Sequence, residues 1–338
     1  EVRAIGGGAK STLWLQIMAD VTNQMHVLPT LDEGPAAGAA ILAAVGAGTF
    51  ANVKNACAAL VGTTPAAEPG PDASTYAKWV PHYQALYDAF TANFIERGDV
   101  GAAAALVVDG ELVVDLWAGT VAPGEAPPWQ ADTLANIWST TKGVTAICFA
   151  MLATRGQIDY ERAVAEYWPE FAANGKGAVT VAQLLSHQAG LCGFRRPARV
   201  EDFYDAHKAA KELAAMEPFG QPGSIAGYHA ITIGLLATAL FEKVEGRSLR
   251  QFVADELADY DISIGLPAIR AHRAATMIAP PHMGTEALMT ELTQPQMAAL
   301  ANPPLDPLLP NDPAWRAAEI PSANGFATAR GLAQLYGE

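Results

Sequence analysis

The sequence predicts a mixed α/β (α+β) chain in two parts, and three stretches carry that expectation. Ala104-Ala-Leu-Val-Val-Asp109-Gly110-Glu-Leu-Val-Val-Asp-Leu-Trp117 places two strand-like runs on either side of Asp-Gly. A tight hairpin turn needs positive φ at both central residues, which Asp and Gly tolerate. Val2-Arg-Ala-Ile5, Gly6-Gly7-Gly8 and the run from Ser11 read as strand, glycine turn, helix. Gly143-Val-Thr-Ala-Ile-Cys-Phe-Ala-Met-Leu152 is a long apolar run of helical length that follows Ser-Thr-Thr-Lys.

Taken in order, the first helix is expected from Ser11 with Leu13, Ile17 and Val21 on one face. An extended Val27-Leu-Pro piece and Glu33-Gly34 follow, then a small-residue helix from Ala36 to Gly46. Ala66 to Ser74 is rich in Pro, Gly and acid and reads as a loop. Tyr76 to Glu96 carries aromatics at helical spacing (Trp79, Tyr83, Tyr87, Phe90, Phe94), with Pro81 marking a break or a first turn. After the hairpin, helical patterns dominate. Pro- and Gly-rich loops fall near Pro123 to Pro128, Arg195 to Pro197, Pro218 to Gly223 and Asn302 to Pro313.

Composition narrows the class. Over 338 residues, 51% are hydrophobic and 17% charged, which suits a packed globular enzyme. A net charge of −14 argues against a nucleic-acid partner, which would need a basic face. Cys57, Cys148 and Cys192 are odd in number and show no CxxC spacing, so neither a disulfide framework nor a zinc site is expected. Cys148 lies in the apolar run and reads as packing. No metal-ligand spacing is seen among the Asp, Glu and His residues. No signal peptide is visible, and Ala36 to Phe50 is too short to span a bilayer. A cytoplasmic protein without membrane partners is expected. The chain opens on Glu-Val and stops within a helical pattern, so both ends look cut.

Ser139-Thr-Thr-Lys142 carries the chemistry. Residues i and i+3 share a helix face, so hydroxyl and ammonium can meet there. A serine hydroxyl becomes a useful nucleophile when a neighbour helps remove its proton. Burial can lower a lysine pKa or let its charge hold a nearby phenolate. The chain has eight Ser and eight Lys, and one Ser-x-x-Lys match. Chance alone supplies about 0.2 such matches, so the motif has moderate weight by itself. An N-cap serine with an exposed lysine one turn later would give the same four residues.

The surrounding words strengthen it. Gly101-Ala-Ala-Ala, Val114-Asp-Leu-Trp117, Ile137-Trp-Ser139-Thr-Thr-Lys142-Gly, Tyr167-Trp-Pro-Glu-Phe171, Leu184-Leu-Ser-His-Gln-Ala-Gly-Leu191, Gln221-Pro-Gly223, Gly227-Tyr228-His229 and Ile320-Pro-Ser-Ala-Asn-Gly325 occur in order. With these words, residues from about 100 to 338 resemble serine esterases of the β-lactamase/transpeptidase-like fold, related to class C β-lactamases and penicillin-binding proteins. The resemblance implies Ser139 as the acylated nucleophile, Lys142 as its assistant and Tyr228 as the proton shuttle. It implies a small-molecule ester substrate and no cofactor for the hydrolase. Tyr228 is followed by His229-Ala230 and lacks an Asn two residues on, which favours the esterase branch over β-lactam recognition. His187 and Gln188 are expected to be structural. The family's third motif and final strands would fall beyond Glu338. On that expectation one oxyanion donor is missing from these residues, a loss that costs roughly 100- to 1000-fold in rate.

Ile5-Gly-Gly-Gly-Ala-Lys-Ser11, Trp14-Leu-Gln-Ile-Met-Ala-Asp20-Val and Glu33-Gly-Pro-Ala-Ala-Gly38-Ala-Ala-Ile-Leu-Ala43 point elsewhere. Through them residues 1 to about 87 resemble the C-terminal end of the FGGY carbohydrate kinases, close to xylulokinases, whose fold is of the actin-like ATPase type. The resemblance implies Gly6, Gly7, Gly8 and Ala9 as nucleotide contacts, with ATP as the ligand. Asp20 and Asp32 match positions that are not that family's catalytic base. The expected division is 1–87 as a kinase fragment and 88–338 as the serine hydrolase domain. The expected activity is ester hydrolysis through Ser139. The alternatives are a xylulose-type kinase fragment fused to the hydrolase, a β-lactamase, or an inactive fragment.

Overall fold

In the computed structural model the described residues are 1–4, 7–30, 41–224, 226–280 and 292–338. The chain divides into two compact units, Glu1–Asn93 and Phe94–Glu338. The expected 87/88 boundary and this one lie on the same helix, Ala73–Glu96. That helix runs through Pro81, where a break or a first turn was expected. The proline ring removes one backbone donor without ending the helix.

In the first unit, β1 (Val2–Arg3) pairs parallel with β2 (His26–Pro29), and β2 pairs antiparallel with β3 (Thr63–Ala67). The β3 strand overlaps the loop expected at Ala66 to Ser74. Pro65 is tolerated there because β3 lies at the sheet edge, where a missing N–H costs little. Helix α1 (Thr12–Thr22) is capped by Ser11, whose hydroxyl accepts the Trp14 N–H at 3.2 Å. Its buried residues are Leu15, Ala19 and Asp20, whereas Leu13 and Ile17, whose spacing marked the helix, are exposed. Asp20 accepts from the Gly70 N–H at 2.5 Å and from Gln16 at 3.1 Å, tying α1 to the chain after β3. Residues 41–46 are helical, and the rest of the helix expected from Ala36 lies outside the described residues.

In the second unit, β4 (Gly101–Val108) and β5 (Glu111–Gly119) form the expected hairpin. Asp109 and Gly110 both have positive φ, 51° and 81°, as a two-residue turn between right-twisted strands requires. A second sheet has the order β6–β8–β7, made of Ala135–Asn136, Gly325–Ala327 and Ile262–Ile264, antiparallel throughout. The core sits among helices α2 (Thr141–Thr154), α3 (Thr232–Glu245) and α4 (Leu249–Glu256). The α2 face of Val144, Cys148, Phe149 and Leu152 is fully buried. Burial pushes the Cys148 thiol up to about 12, so it stays protonated and acts as packing. The α3 helix is buried on nearly every side, from Thr232 to Phe241. The rings of Phe149, Phe241 and Phe252 meet edge to face at 5.3 and 5.0 Å. This packing fixes α2, and with it the serine at its entrance.

Candidate active site

The backbone turns sharply before α2. Trp138 has φ 42°, a left-handed conformation costly for a bulky residue, and Trp138–Thr140 form a single 3-10 turn. Asn136 stabilises this turn: its side-chain oxygen accepts the Trp138 N–H at 3.2 Å. Its amide donates to the Ala323 and Gly325 carbonyls at 3.3 and 3.2 Å. The result is an exposed Ser139 on a rigid turn, with Lys142 one helical turn later.

The segment Ile320–Gly325 acts as a strap beneath this turn. Thr145 donates to the Pro321 carbonyl at 2.7 Å, and the Gly325 N–H donates to the Thr141 hydroxyl at 2.9 Å. A Cβ on Gly325 would lie 2.6 Å from that hydroxyl oxygen, so only glycine allows the approach. Buried Asn324 holds the strap's own bend by accepting from Ile320 and donating to the Trp315 and Ala318 carbonyls.

The structure brings the three expected residues of this unit together. Lys142 Nζ donates to Ser139 Oγ at 3.1 Å and to the Ala230 and Ser322 carbonyls, both at 2.8 Å. Three acceptors match the three N–H bonds of an ammonium. Tyr228 hydroxyl lies 3.1 Å from Ser139 Oγ, and Lys142 Nζ is 5.2 Å from the Tyr228 ring centre. Burial lowers the Lys142 pKa, while the interaction with nearby Tyr228 opposes that shift. Burial alone would raise the Tyr228 pKa. Its hydrogen bond to Ser139 and the nearby Lys142 cation outweigh burial and bring it below its ordinary value.

Sequence reading had missed the carbonyls of Ala230 and Ser322, and the bracing by Asn136, Thr141 and Thr145. Ser322, Thr141 and Thr145 lay within the stretches quoted above and Asn136 just before one of them, but the two carbonyls are backbone acceptors and carry no residue identity to read. His187, expected to be structural, borders the site: its ring lies 5.2 Å from that of Tyr228. His229 is fully buried, accepts the Leu191 N–H at 2.9 Å and contacts the Gly227 carbonyl. Burial is the main cause of its lowered pKa, about 4.

In the other unit, Gly7, Gly8 and Ala9 lie in the 3-10 turn Gly7–Lys10 that precedes α1. Ala9 packs on a small cluster of Ala4, Leu15, Ala19 and Ala67. Gly6 and Asp32 lie outside the described residues. Among the described residues, no group of His, Cys, Asp or Glu could hold a metal ion, and no helix is long and apolar enough to cross a membrane.

A braced Ser-x-x-Lys with a facing tyrosine, on helices flanked by short antiparallel sheets, defines a class. The chain belongs to the beta-lactamase family, whose model matches residues 84–338. The fold is that of the β-lactamase and penicillin-binding-protein-like serine hydrolases. Its relatives include Esterase/beta-lactamase LipL of Mycobacterium tuberculosis, 38% identical over 286 residues, covering 79% of this chain and 65% of LipL. A family VIII carboxylesterase superposes with a TM-score of 0.70 at 45% identity, covering 76% of this chain and 69% of that one. A penicillin-binding protein homolog from Caulobacter crescentus gives 0.67 at 39% identity, covering 75% and 68%. The chain spans less than two thirds of the length of LipL.

Residues 1–47 match the C-terminal domain of the FGGY family of carbohydrate kinases. Xylulose kinase of Staphylococcus epidermidis is 38% identical over 87 residues, which cover 25% of this chain and 18% of that protein.

Proposed function

We propose that the chain is a serine hydrolase that cleaves carboxylic esters through an acyl-enzyme on Ser139. One observation carries the reading: Ser139 Oγ lies 3.1 Å from both Lys142 Nζ and Tyr228 Oη. Tyr228, whose pKa is lowered by its hydrogen bond to Ser139 and by the Lys142 cation, takes the Ser139 proton in its ionised form as Oγ bonds to the acyl carbon. The Ser139 N–H helps to hold the oxyanion. Tyr228 returns the proton to the departing alcohol. A water molecule, deprotonated by the same tyrosine, then attacks the acyl carbon; the bond to Ser139 Oγ breaks, Tyr228 returns the proton to Oγ, and the acid leaves. Ala230 stands where the β-lactamase form of the tyrosine motif has Asn, which favours esters over β-lactams.

The Ala230 carbonyl faces Lys142, and Ala230 also lines a cavity of about 450 Å³ with Phe203, Ile231, Ala299 and Leu305. Polar groups on that wall are spent inside the protein. Thr232 donates to the Leu191 carbonyl, Cys192 to the Pro295 carbonyl, and Asn302 to the Phe194 and Arg196 carbonyls. This supports an ester with an apolar arm.

The test is hydrolysis of p-nitrophenyl esters of graded acyl length by the wild type and Ser139→Ala. Turnover by the wild type and none by the variant is expected. Equal turnover by both would sink the assignment. ATP binding by Gly6, Gly7, Gly8 and Ala9 stays part of our reading of the N-terminal unit and rests on its kinase match. Equilibrium dialysis with labelled ATP tests it. A cytoplasmic location belongs to the same reading and is checked by cell fractionation.

A further inference from the structure

His187 holds the backbone on both sides of Tyr228. Its carbonyl accepts the Gly227 N–H at 2.9 Å, and its ring Nδ1 accepts the His229 N–H at 3.1 Å. The neighbouring Gln188 carbonyl accepts the Gly223 N–H at 2.9 Å, so the two loops are stitched further along. His187 itself sits at φ 65°, a left-handed position that places carbonyl and ring on the same neighbour. We propose that His187 is the positioning residue that aims Tyr228 at Ser139, and that only its neutral ring can do so. This rests on the esterase reading above.

The chemistry follows from the acceptor. Nδ1 receives a backbone N–H, so its lone pair must be free and the ring proton must sit on Nε2. A protonated ring would point N–H at N–H, and the contact would become a repulsion. The titratable groups around the ring are Tyr228 at 5.2 Å, His229 at 5.5 Å and Lys142, whose charge acts on it. Burial, then the Lys142 charge, lowers the His187 pKa and keeps the ring neutral near pH 7. Acidification charges His187, releases the Tyr228 segment and lowers turnover before anything unfolds. This loss adds to the one from protonating Tyr228 itself.

The test compares two variants at one position. In His187→Asn, the amide oxygen takes the place of Nδ1, cannot be protonated near neutrality, and Asn tolerates left-handed φ. In His187→Ala the acceptor is gone. His187→Asn is expected to keep kcat within about threefold at pH 8 and to lose one ionisation from the acid limb. His187→Ala is expected to lose about 10- to 100-fold in kcat, with KM little changed. Because the effect runs through Tyr228, His187→Ala should cost nothing further in a Tyr228→Phe background.

A readout without turnover runs alongside: phenolate absorbance of Tyr228, taken as the difference between the wild type and Tyr228→Phe. His187→Ala should move that ionisation up toward the free tyrosine value, and His187→Asn should leave it in place. Equal behaviour of the Asn and Ala variants would overturn the proposal, as would full additivity with Tyr228→Phe. If His187→Ala does not fold, the acid limb and the phenolate titration of His187→Asn decide alone. If Ser139 is never acylated, the esterase reading fails, while the phenolate titration still decides the role of His187.

Discussion

The two sides of Ser139 are built differently. Lys142 stands on the first turn of α2, a helix whose other face is in the core, and its ammonium is held by carbonyls from two distant segments. Tyr228 comes from a loop, is 48% exposed, and reaches Ser139 through one hydroxyl contact. The cation is therefore fixed by the fold, and the phenol is aimed by the backbone around it. Substitutions on the two sides should separate activity from stability.

The largest effect is expected at the shared atom. Ser139→Ala should lower kcat/KM by about 10⁴-fold or more with folding intact, measured by ester turnover and thermal melting. Lys142→Ala sharpens the comparison. It should cost about 10³-fold or more in kcat and also about 1–3 kcal/mol of stability, because it strips the Ala230 and Ser322 carbonyls of their donor. Denaturant titration beside kinetics reads both. Tyr228→Phe should cost about 10²- to 10⁴-fold in kcat while stability stays within about 0.5 kcal/mol. A large stability loss in Tyr228→Phe would break the distinction between the two sides.

A smaller effect concerns pH. His229 is buried and neutral, with a pKa of about 4 against 6.5 for the free side chain. Between those values the unfolded chain binds a proton that the folded chain refuses. Stability therefore falls as pH drops from about 6.5 toward 4, by about 3 kcal/mol in all. Chemical denaturation at pH 7.5 and 4.5 checks this, and a wild-type curve flat over that range would contradict it. The smallest effect is expected at the cavity. Ala299→Phe should lower kcat/KM for longer acyl chains relative to acetate by about tenfold and leave acetate turnover nearly unchanged. A chain-length series reads the ratio.

The sequence made some elements legible and hid others for physical reasons. The hairpin was readable because Asp109-Gly110 is a local solution to a local problem. The Ser139–Lys142 pair was readable because helix geometry fixes i and i+3. Tyr228, 89 residues from Ser139, was reachable only through family words, since nothing local couples the two. The strap was visible as a word, Ile320 to Gly325, but its role was not, because carbonyls do the holding. In the first unit, spacing placed Leu13 and Ile17 on one face of α1 without saying which face packs, and the structure buries Leu15 and Ala19. Periodicity finds a helix, but with apolar residues on two faces it cannot choose which one packs.

The measurement that tests the central claim most directly is labelling with a fluorophosphonate probe, followed by peptide mass spectrometry to locate the adduct. The account predicts a single adduct on Ser139 in the wild type, sharply slowed in Lys142→Ala and absent in Ser139→Ala. A folded wild-type chain that takes no label, or takes it equally well in Ser139→Ala, would contradict it.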